Sequence, residues 1–278
     1  MTPNSKQHSM LDPRLQELLG SAATERVSAR GDAIVVEGLA KRYPNGTEAV
    51  RGISFHVRTG EVFGILGPNG AGKSTTMGML GTLIRPTGGS ATVAGVDIVE
   101  DPRSVRRQIG FAMQEVGVDD LATGRELLVL HGRLHGLARR EATRRAGILL
   151  DLVGLGEAAD RRMAEYSGGM QRRADLASAL IHLPPVLFLD EPTEGLDPHG
   201  RAAIWDALER LKDTLGMTVL MTTHYMEEAD RLCDRIAIVD RGRIVLEGTP
   251  AELKRAAGSM TLEDAYLNST GRTLEVAA

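Results

Sequence analysis

The stretch Gly67-Pro68-Asn69-Gly70-Ala71-Gly72-Lys73-Ser74-Thr75 constrains this chain more than any other. Before it, Glu61–Leu66 reads as a short buried strand; after it, Thr75–Leu83 reads as the start of a helix. Strand, glycine-rich turn, Lys-Ser and helix is the context in which the spacing G-x-x-x-x-G-K-[ST] forms a phosphate-binding P-loop. Gly67, Gly70 and Gly72 let the backbone wrap an anion without Cβ clashes. The freed N–H groups and the positive end of the helix then face that anion. In such a loop Lys73 neutralises the β- and γ-phosphates and the Ser74 hydroxyl ligates Mg²⁺.

Composition bounds the rest. A chain of 278 residues with 42% hydrophobic content can build one large domain or two modest ones around a sizeable core. The net charge of −4 leaves no basic stripe and argues against nucleic acid as the main partner. The single cysteine, Cys233, excludes an intramolecular disulfide and fits a reducing compartment. No apolar run approaches the ~20 residues that span a bilayer. The N-terminus lacks the apolar core of a signal peptide. The expectation is a chain that meets a membrane, if at all, through another chain.

Along the sequence, residues 1–30 read as a flexible extension with one helical island, in which Asp12-Pro13 precedes Leu15, Leu18 and Leu19. Ala33–Leu39 and Glu48–Arg58 read as two strands of an antiparallel layer, joined by a turn containing Tyr43. Ser90–Gly95 reads as a further strand and turn. Val105–Gln108 leads into a short apolar strand, Ile109–Met113, that ends on Gln114. From Thr123 to Ala179 the pattern is helical, with Leu127, Leu130, Leu134 and Leu137 at near-helical spacing and a solvated arginine-rich face nearby. Val186–Leu189 and Thr218–Thr223 are apolar runs suited to a parallel sheet covered on both faces. Arg235–Val239 and Arg243–Glu247 form a closing strand pair. This alternation predicts an α/β fold with a mostly parallel sheet, an antiparallel β layer and an inserted helical subdomain at about 115–180. The folded domain is expected over 31–250, with 251–278 as a short tail.

In such a sheet the active site lies beyond the carboxyl ends of the strands. Lys73, Asp190-Glu191 and His224 each follow a predicted strand. An acidic pair in that place suits phosphoryl transfer, one carboxylate holding Mg²⁺ and the next positioning water. A second helix start, Ser167-Gly168-Gly169-Met170-Gln171, carries two glycines that cost about 1 kcal/mol each relative to alanine. Ser167 suffices as an N-cap. Capping does not require the glycines, and bare N–H groups there suit a second phosphate-binding surface.

Over residues 33–250 these motifs, in this order, resemble the nucleotide-binding subunits of ABC (ATP-binding cassette) transporters. Gly67–Thr75 is similar to the Walker A loop, Gln114 to the Q-loop glutamine, Ser167–Gln171 to the signature sequence, Val186–Glu191 to Walker B and its following glutamate, Gly195–Asp197 to the D-loop, and His224 to the switch histidine. Tyr43 is similar to the aromatic residue that stacks on adenine. Met170 stands where glutamine is commoner. The resemblance implies a P-loop NTPase fold and an ATPase that uses ATP and Mg²⁺. Two copies would pair head to tail, each ATP lying between Tyr43, Gly67, Pro68, Asn69, Gly70, Ala71, Gly72, Lys73, Ser74 and Thr75 of one copy and Ser167, Gly168 and Gly169 of the other, near Asp197. It implies Glu191 as the base, with His224 and Lys73 at the γ-phosphate, and Ser74, Gln114 and Asp190 at Mg²⁺. A separate integral membrane permease would hold the subunit peripherally on the cytoplasmic face of the cell membrane.

Within that family, Thr222–Asp230, Gly242–Pro250 and Leu262–Leu267 resemble the daunorubicin-resistance type of drug-export subunit. The resemblance therefore implies efflux of a drug-like or other hydrophobic substrate, and antibiotic resistance. Lipid and polysaccharide exporters share these features and stay open as alternatives. A soluble ABC-type ATPase acting on ribosomes or DNA is disfavoured by the single cassette and the lack of sustained heptads.

Overall fold

Val62–Leu66 (β3) is buried at every position, and the layers on both sides are built against it. The computed structural model describes residues 31–113 and 120–271; the expected helix near Leu15 and the residue Gln114 lie outside the described residues. Ahead of β3 come β1 (Asp32–Arg42) and β2 (Glu48–Arg58). After it come α1 (Lys73–Leu80), β4 (Gly88–Val93), β5 (Val96–Asp97), α2 (Pro102–Gln108) and β6 (Ile109–Ala112). Helices α3 (Gly124–Leu134), α4 (Arg139–Leu152) and α5 (Gly168–Ala179) follow. The chain then returns through β7 (Val186–Asp190), α6 (Pro198–Leu215), β8 (Thr218–Thr223), α7 (Met226–Leu232), β9 (Arg235–Asp240) and β10 (Arg243–Gly248). Two helices, α8 (Pro250–Ala256) and α9 (Leu262–Thr270), complete the described chain.

The larger sheet has the order β10-β9-β3-β8-β7-β6. All its pairings are parallel except the closing hairpin β9–β10. The smaller sheet, β2-β1-β4-β5, is antiparallel throughout. Strand periodicity divides the core in two. Phe63, Ile65, Phe188 and Leu220 pack with α1 and the antiparallel sheet. Val62, Leu66, Leu187 and Met221 pack with the helical layer. Both faces of the parallel sheet are thus dry, as its uninterrupted apolar runs require.

Three local readings change. Helix α1 begins at Lys73, two residues earlier than the sequence pattern suggests, because the turn ends on Gly72 at φ 105 and the helix closes on Gly81. Helix α2 was not expected from its polar face; its signal is Asp101-Pro102, where the Asp101 carboxylate accepts from Ser104 N at 3.0 Å. On α3 the buried positions are Gly124, Leu127, Leu128 and Gly132, while Leu130 is 55% and Leu134 76% exposed. The apolar spacing there therefore describes two faces of the helix rather than one core stripe.

Beyond Pro250 the chain packs on the main core through Leu253, Leu262, Ala265 and Tyr266. Tyr266 is among the largest fully buried side chains, at 1% exposure. Replacing it by alanine is expected to cost about 3 kcal/mol through lost burial and the cavity left behind. Urea unfolding should show a lower midpoint at unchanged slope.

Candidate active site

The site is assembled by strand register. Parallel pairing sets Leu66 beside Thr223 and Asp190 beside Thr222, so β3, β8 and β7 end at the same level. Gly67 N donates to Thr223 O at 3.2 Å, and Glu191 N donates to Thr222 O at 3.1 Å. The residues that leave these strand ends, Lys73, His224 and Glu191, meet above β8.

The P-loop is wedged in place by chain remote in sequence. Gly242 N, at the tip of the β9–β10 hairpin, donates to Ala71 O at 2.9 Å, and Arg51 N on β2 donates to Gly242 O at 2.8 Å. A Cβ on Gly72 would lie 2.4 Å from Ala49 O, and its φ of +105° lies in the left-handed half of backbone space. Asp101, Thr123, Ser167, Asp197, Thr249 and Thr261 each cap a helix with a side-chain oxygen. The start of α1, like those of α4 and α7, has no side-chain cap. Its first N–H groups therefore point without a capping acceptor into a cleft of about 570 Å³ lined by Asn69, Gly70, Gly72, Lys73, Ser74 and Thr75.

Lys73 is 4% exposed. Its ammonium donates to Gly67 O at 2.8 Å and Pro68 O at 3.2 Å, and pairs with Glu191 Oε1 at 2.9 Å. His224 Nδ1 lies 3.0 Å from the other oxygen, Oε2; since the carboxylate only accepts, Nδ1 carries the proton. Burial works against ionisation of Glu191, but hydrogen bonds from His224, Glu194 and Lys73 outweigh it and hold the carboxyl well below the usual carboxylate range. Glu194 is pushed upward, first by its hydrogen bond to Glu191 and then by burial. Glu191 also has φ +48, an uncommon backbone conformation for a residue with a side chain.

Asp190 Oδ1 accepts from Ser74 Oγ at 3.2 Å and from Thr222 Oγ1 at 2.5 Å. A hydroxyl that lines the cleft and a carboxylate within hydrogen-bond reach of it are hard oxygen donors of the kind Mg²⁺ takes, so the residues present fit that ion. Tyr43 Oη lies 3.4 Å from Thr75 Oγ1, which sets the ring beside the first turn of α1, and Lys41 Nζ stands 5.2 Å from the ring centre. Ser167, Gly168, Gly169 and Asp197 are not among the residues lining the cleft. They form a second cluster, in which Asp197 caps α6 through Gly200 N at 2.6 Å and a Cβ on Gly169 would lie 3.5 Å from Gly200 Cα.

Residues 50–194 match the family described as ABC transporter. The chain belongs to the ABC transporter family. It is an ATP-binding, ATP-hydrolysing subunit of that family. It is 53% identical over 230 residues to the daunorubicin/doxorubicin resistance ATP-binding protein DrrA of Streptomyces peucetius, covering 83% of this chain and 69% of the relative. It is 46% identical over 249 residues to the Nod factor export ATP-binding protein I of Sinorhizobium fredii, covering 88% and 68%. Among solved structures, the ATP-binding cassette MJ0796, described as dimeric in a post-hydrolysis state with ADP and Pi, superposes with a TM-score of 0.70 at 28% identity, covering 78% of this chain and 98% of that one.

Sequence reasoning missed the supports of the site. Thr222 holds both Asp190 and the Glu191 N–H, the latter at 3.0 Å from its hydroxyl. Glu228, fully buried, accepts from Thr193 Oγ1 at 2.8 Å and Trp205 Nε1 at 3.0 Å, tying α7 to the segment after Glu191. A polar residue inside an apolar strand was the available signal for Thr222; nothing local marks Glu228. Thr222→Val is isosteric but lacks the hydroxyl, and should cost about 1–3 kcal/mol by leaving buried groups unpaired. Urea unfolding should detect that loss, with a fall in ATP turnover that Thr222→Ser restores.

Proposed function

We propose that this subunit hydrolyses ATP between two copies of itself and drives export through a separate membrane permease. The observation that carries the reading is a contrast between two glycine-rich helix starts. Glycine at 67 and 72 is demanded by the chain's own packing, where an added Cβ would lie 2.2 Å from Val239 O and 2.4 Å from Ala49 O. Glycine at 168 and 169 is not, because an added Cβ would meet nothing closer than 3.9 and 3.5 Å. Bare N–H groups without an internal reason suit a ligand presented by another copy, and Ser167 and Gly168 are exposed.

In this reading the phosphates of ATP lie against the backbone of Gly67–Thr75, with adenine on Tyr43. Lys73 leaves Glu191 for the phosphates. Glu191, held by His224, then takes the proton of the water whose oxygen attacks the γ-phosphorus, while the bond to the ADP oxygen breaks. His224 also contacts the γ-phosphate. Ser74 and Asp190, with Gln114, would hold Mg²⁺, which supplies charge neutralisation at the β- and γ-phosphates. Ser167, Gly168 and Gly169 of the second copy, with Asp197 beside them, close the site.

Among the described residues no helix is long and apolar enough to cross a membrane. Met113, Leu121, Leu130 and Leu134 are exposed apolar side chains along the exit from β6 and on α3, and they suit docking to the permease at the cytoplasmic face of the membrane. The drug-resistance relative supports a drug-like, hydrophobic substrate. A second relative is named for export of a different cargo, Nod factor, and export of lipid or polysaccharide is the second reading.

Glu191→Gln keeps the size of the side chain while removing the base and one of the two oxygens that accept from Lys73 and His224. We expect it to bind ATP, to lose at least about 100-fold in turnover, in line with loss of general-base catalysis, and to elute as a dimer in ATP but not in ADP. A Glu191→Gln chain that turns over normally, or that stays monomeric in ATP on size-exclusion chromatography, contradicts the reading.

A further inference from the structure

We propose that Arg172 is a positioning residue that couples the two nucleotide sites of the dimer, linking the start of α5 to the backbone that carries Glu191. This rests on the dimer reading above. Arg172 lies on α5, beyond Ser167 and Gly169, and is 6% exposed. Its guanidinium is used on every side. Nε donates to Pro192 O at 2.9 Å, and Nη2 donates to Asp190 O at 2.9 Å and Glu191 O at 3.3 Å. Nη1 donates to Met113 O at the exit from β6, and stands 3.6 Å from Asp175 Oδ2 one turn further along α5.

One side chain thus gathers carbonyls from the ends of two adjacent strands, β6 and β7, and ties them to the helix whose first turn belongs to the other copy's ATP. The peptide of Glu191 is held from both ends. Its N–H is fixed by Thr222 and its carbonyl by Arg172. The residue between has a left-handed φ of 48° that local preference alone does not maintain. Breaking the Arg172 contacts would leave a buried cation without acceptors, so the link is stiff. When the second copy's γ-phosphate draws on Ser167–Gly169, the displacement of α5 reaches the carbonyl of Glu191 and Met113 together.

Within one subunit, then, the state of one ATP site is felt at the base of the other. Lysine cannot substitute, because a single ammonium does not span the planar fork that serves Pro192, Asp190 and Met113 at once.

The test uses the full chain and compares wild type, Arg172→Lys and Arg172→Gln for steady-state ATP hydrolysis against ATP concentration, thermal midpoint and ATP affinity. Wild type should hydrolyse ATP cooperatively, with a Hill coefficient above 1. Arg172→Lys should fall to a Hill coefficient of 1 with kcat lowered about tenfold, within the usual range of inter-site coupling. Its half-saturating ATP should stay within about twofold, as for a residue that does not bind substrate. Arg172→Gln, with two N–H donors and no charge, serves if the lysine variant does not fold, and should show the same loss of cooperativity. Wild-type kcat and cooperativity in a folded variant, or a Hill coefficient of 1 in wild type, would overturn the coupling. ATP-driven dimerisation of Glu191→Gln separates the two ideas. If that dimer forms and the Arg172 variants behave as wild type, the coupling fails and the dimer reading stands; if it does not form, the dimer reading itself fails.

Discussion

The common level at which β3, β8 and β7 end is the constraint on which the site depends. Parallel register sets Leu66 beside Thr223 and Asp190 beside Thr222. A slip by one residue would exchange the side chains facing α1 with those facing the helical layer and carry Lys73, His224 and Glu191 apart. The strands hold register because both faces are buried: Phe63 and Phe188 on one side, Leu66 and Leu187 on the other, have no alternative placement. The apolar core therefore fixes the polar site. The cost appears at Lys73 and Glu191, a buried ion pair with side chains 3% and 6% exposed. Desolvation of both charges is offset only because the ammonium also reaches two loop carbonyls and the carboxylate also reaches His224.

What could be read from the sequence was what lies at the ends of apolar runs. Lys73-Ser74, Asp190-Glu191 and His224 follow recognisable strands, and topology alone brings strand ends together. The mostly parallel sheet and the antiparallel second layer follow from the same runs; the order of the strands does not. What could not be read was the contact made across sequence. The hairpin tip at Gly242 braces Ala71, Glu228 reaches Thr193, and Arg172 reaches Met113 and Asp190. Each is an ordinary polar residue in its own window, and only the packed chain shows which carbonyl it meets. On α3 the failure is of another kind. Leu130 and Leu134 satisfy helical spacing and are exposed, because periodicity marks an apolar face without saying whether this chain or another covers it.

The glycines sort along the same line. At 67 and 72 the surrounding backbone excludes a side chain, so intrachain packing accounts for the residue. At 168 and 169 there is room for a methyl group, and helix propensity favours one. In the proposed dimer the reason for that penalty lies in the second copy's ATP.

The state of Glu191 in the described structure bears on how hydrolysis is kept in step with binding. A base whose two oxygens face Lys73 and His224, and whose carboxyl is held far below its ordinary range, is a poor proton acceptor. The Glu191–Glu194 contact pushes Glu194 upward as it lowers Glu191. In the proposed mechanism the γ-phosphate competes with Glu191 for the Lys73 ammonium, and a dianionic phosphate in a cleft ringed by backbone N–H groups is the stronger partner. Transfer of Lys73 to the phosphate removes one cation from the base and raises its proton affinity at the moment a substrate is present to use it. In that mechanism the Lys73–Glu191 ion pair is the contact that keeps the base inactive, and phosphate binding releases it.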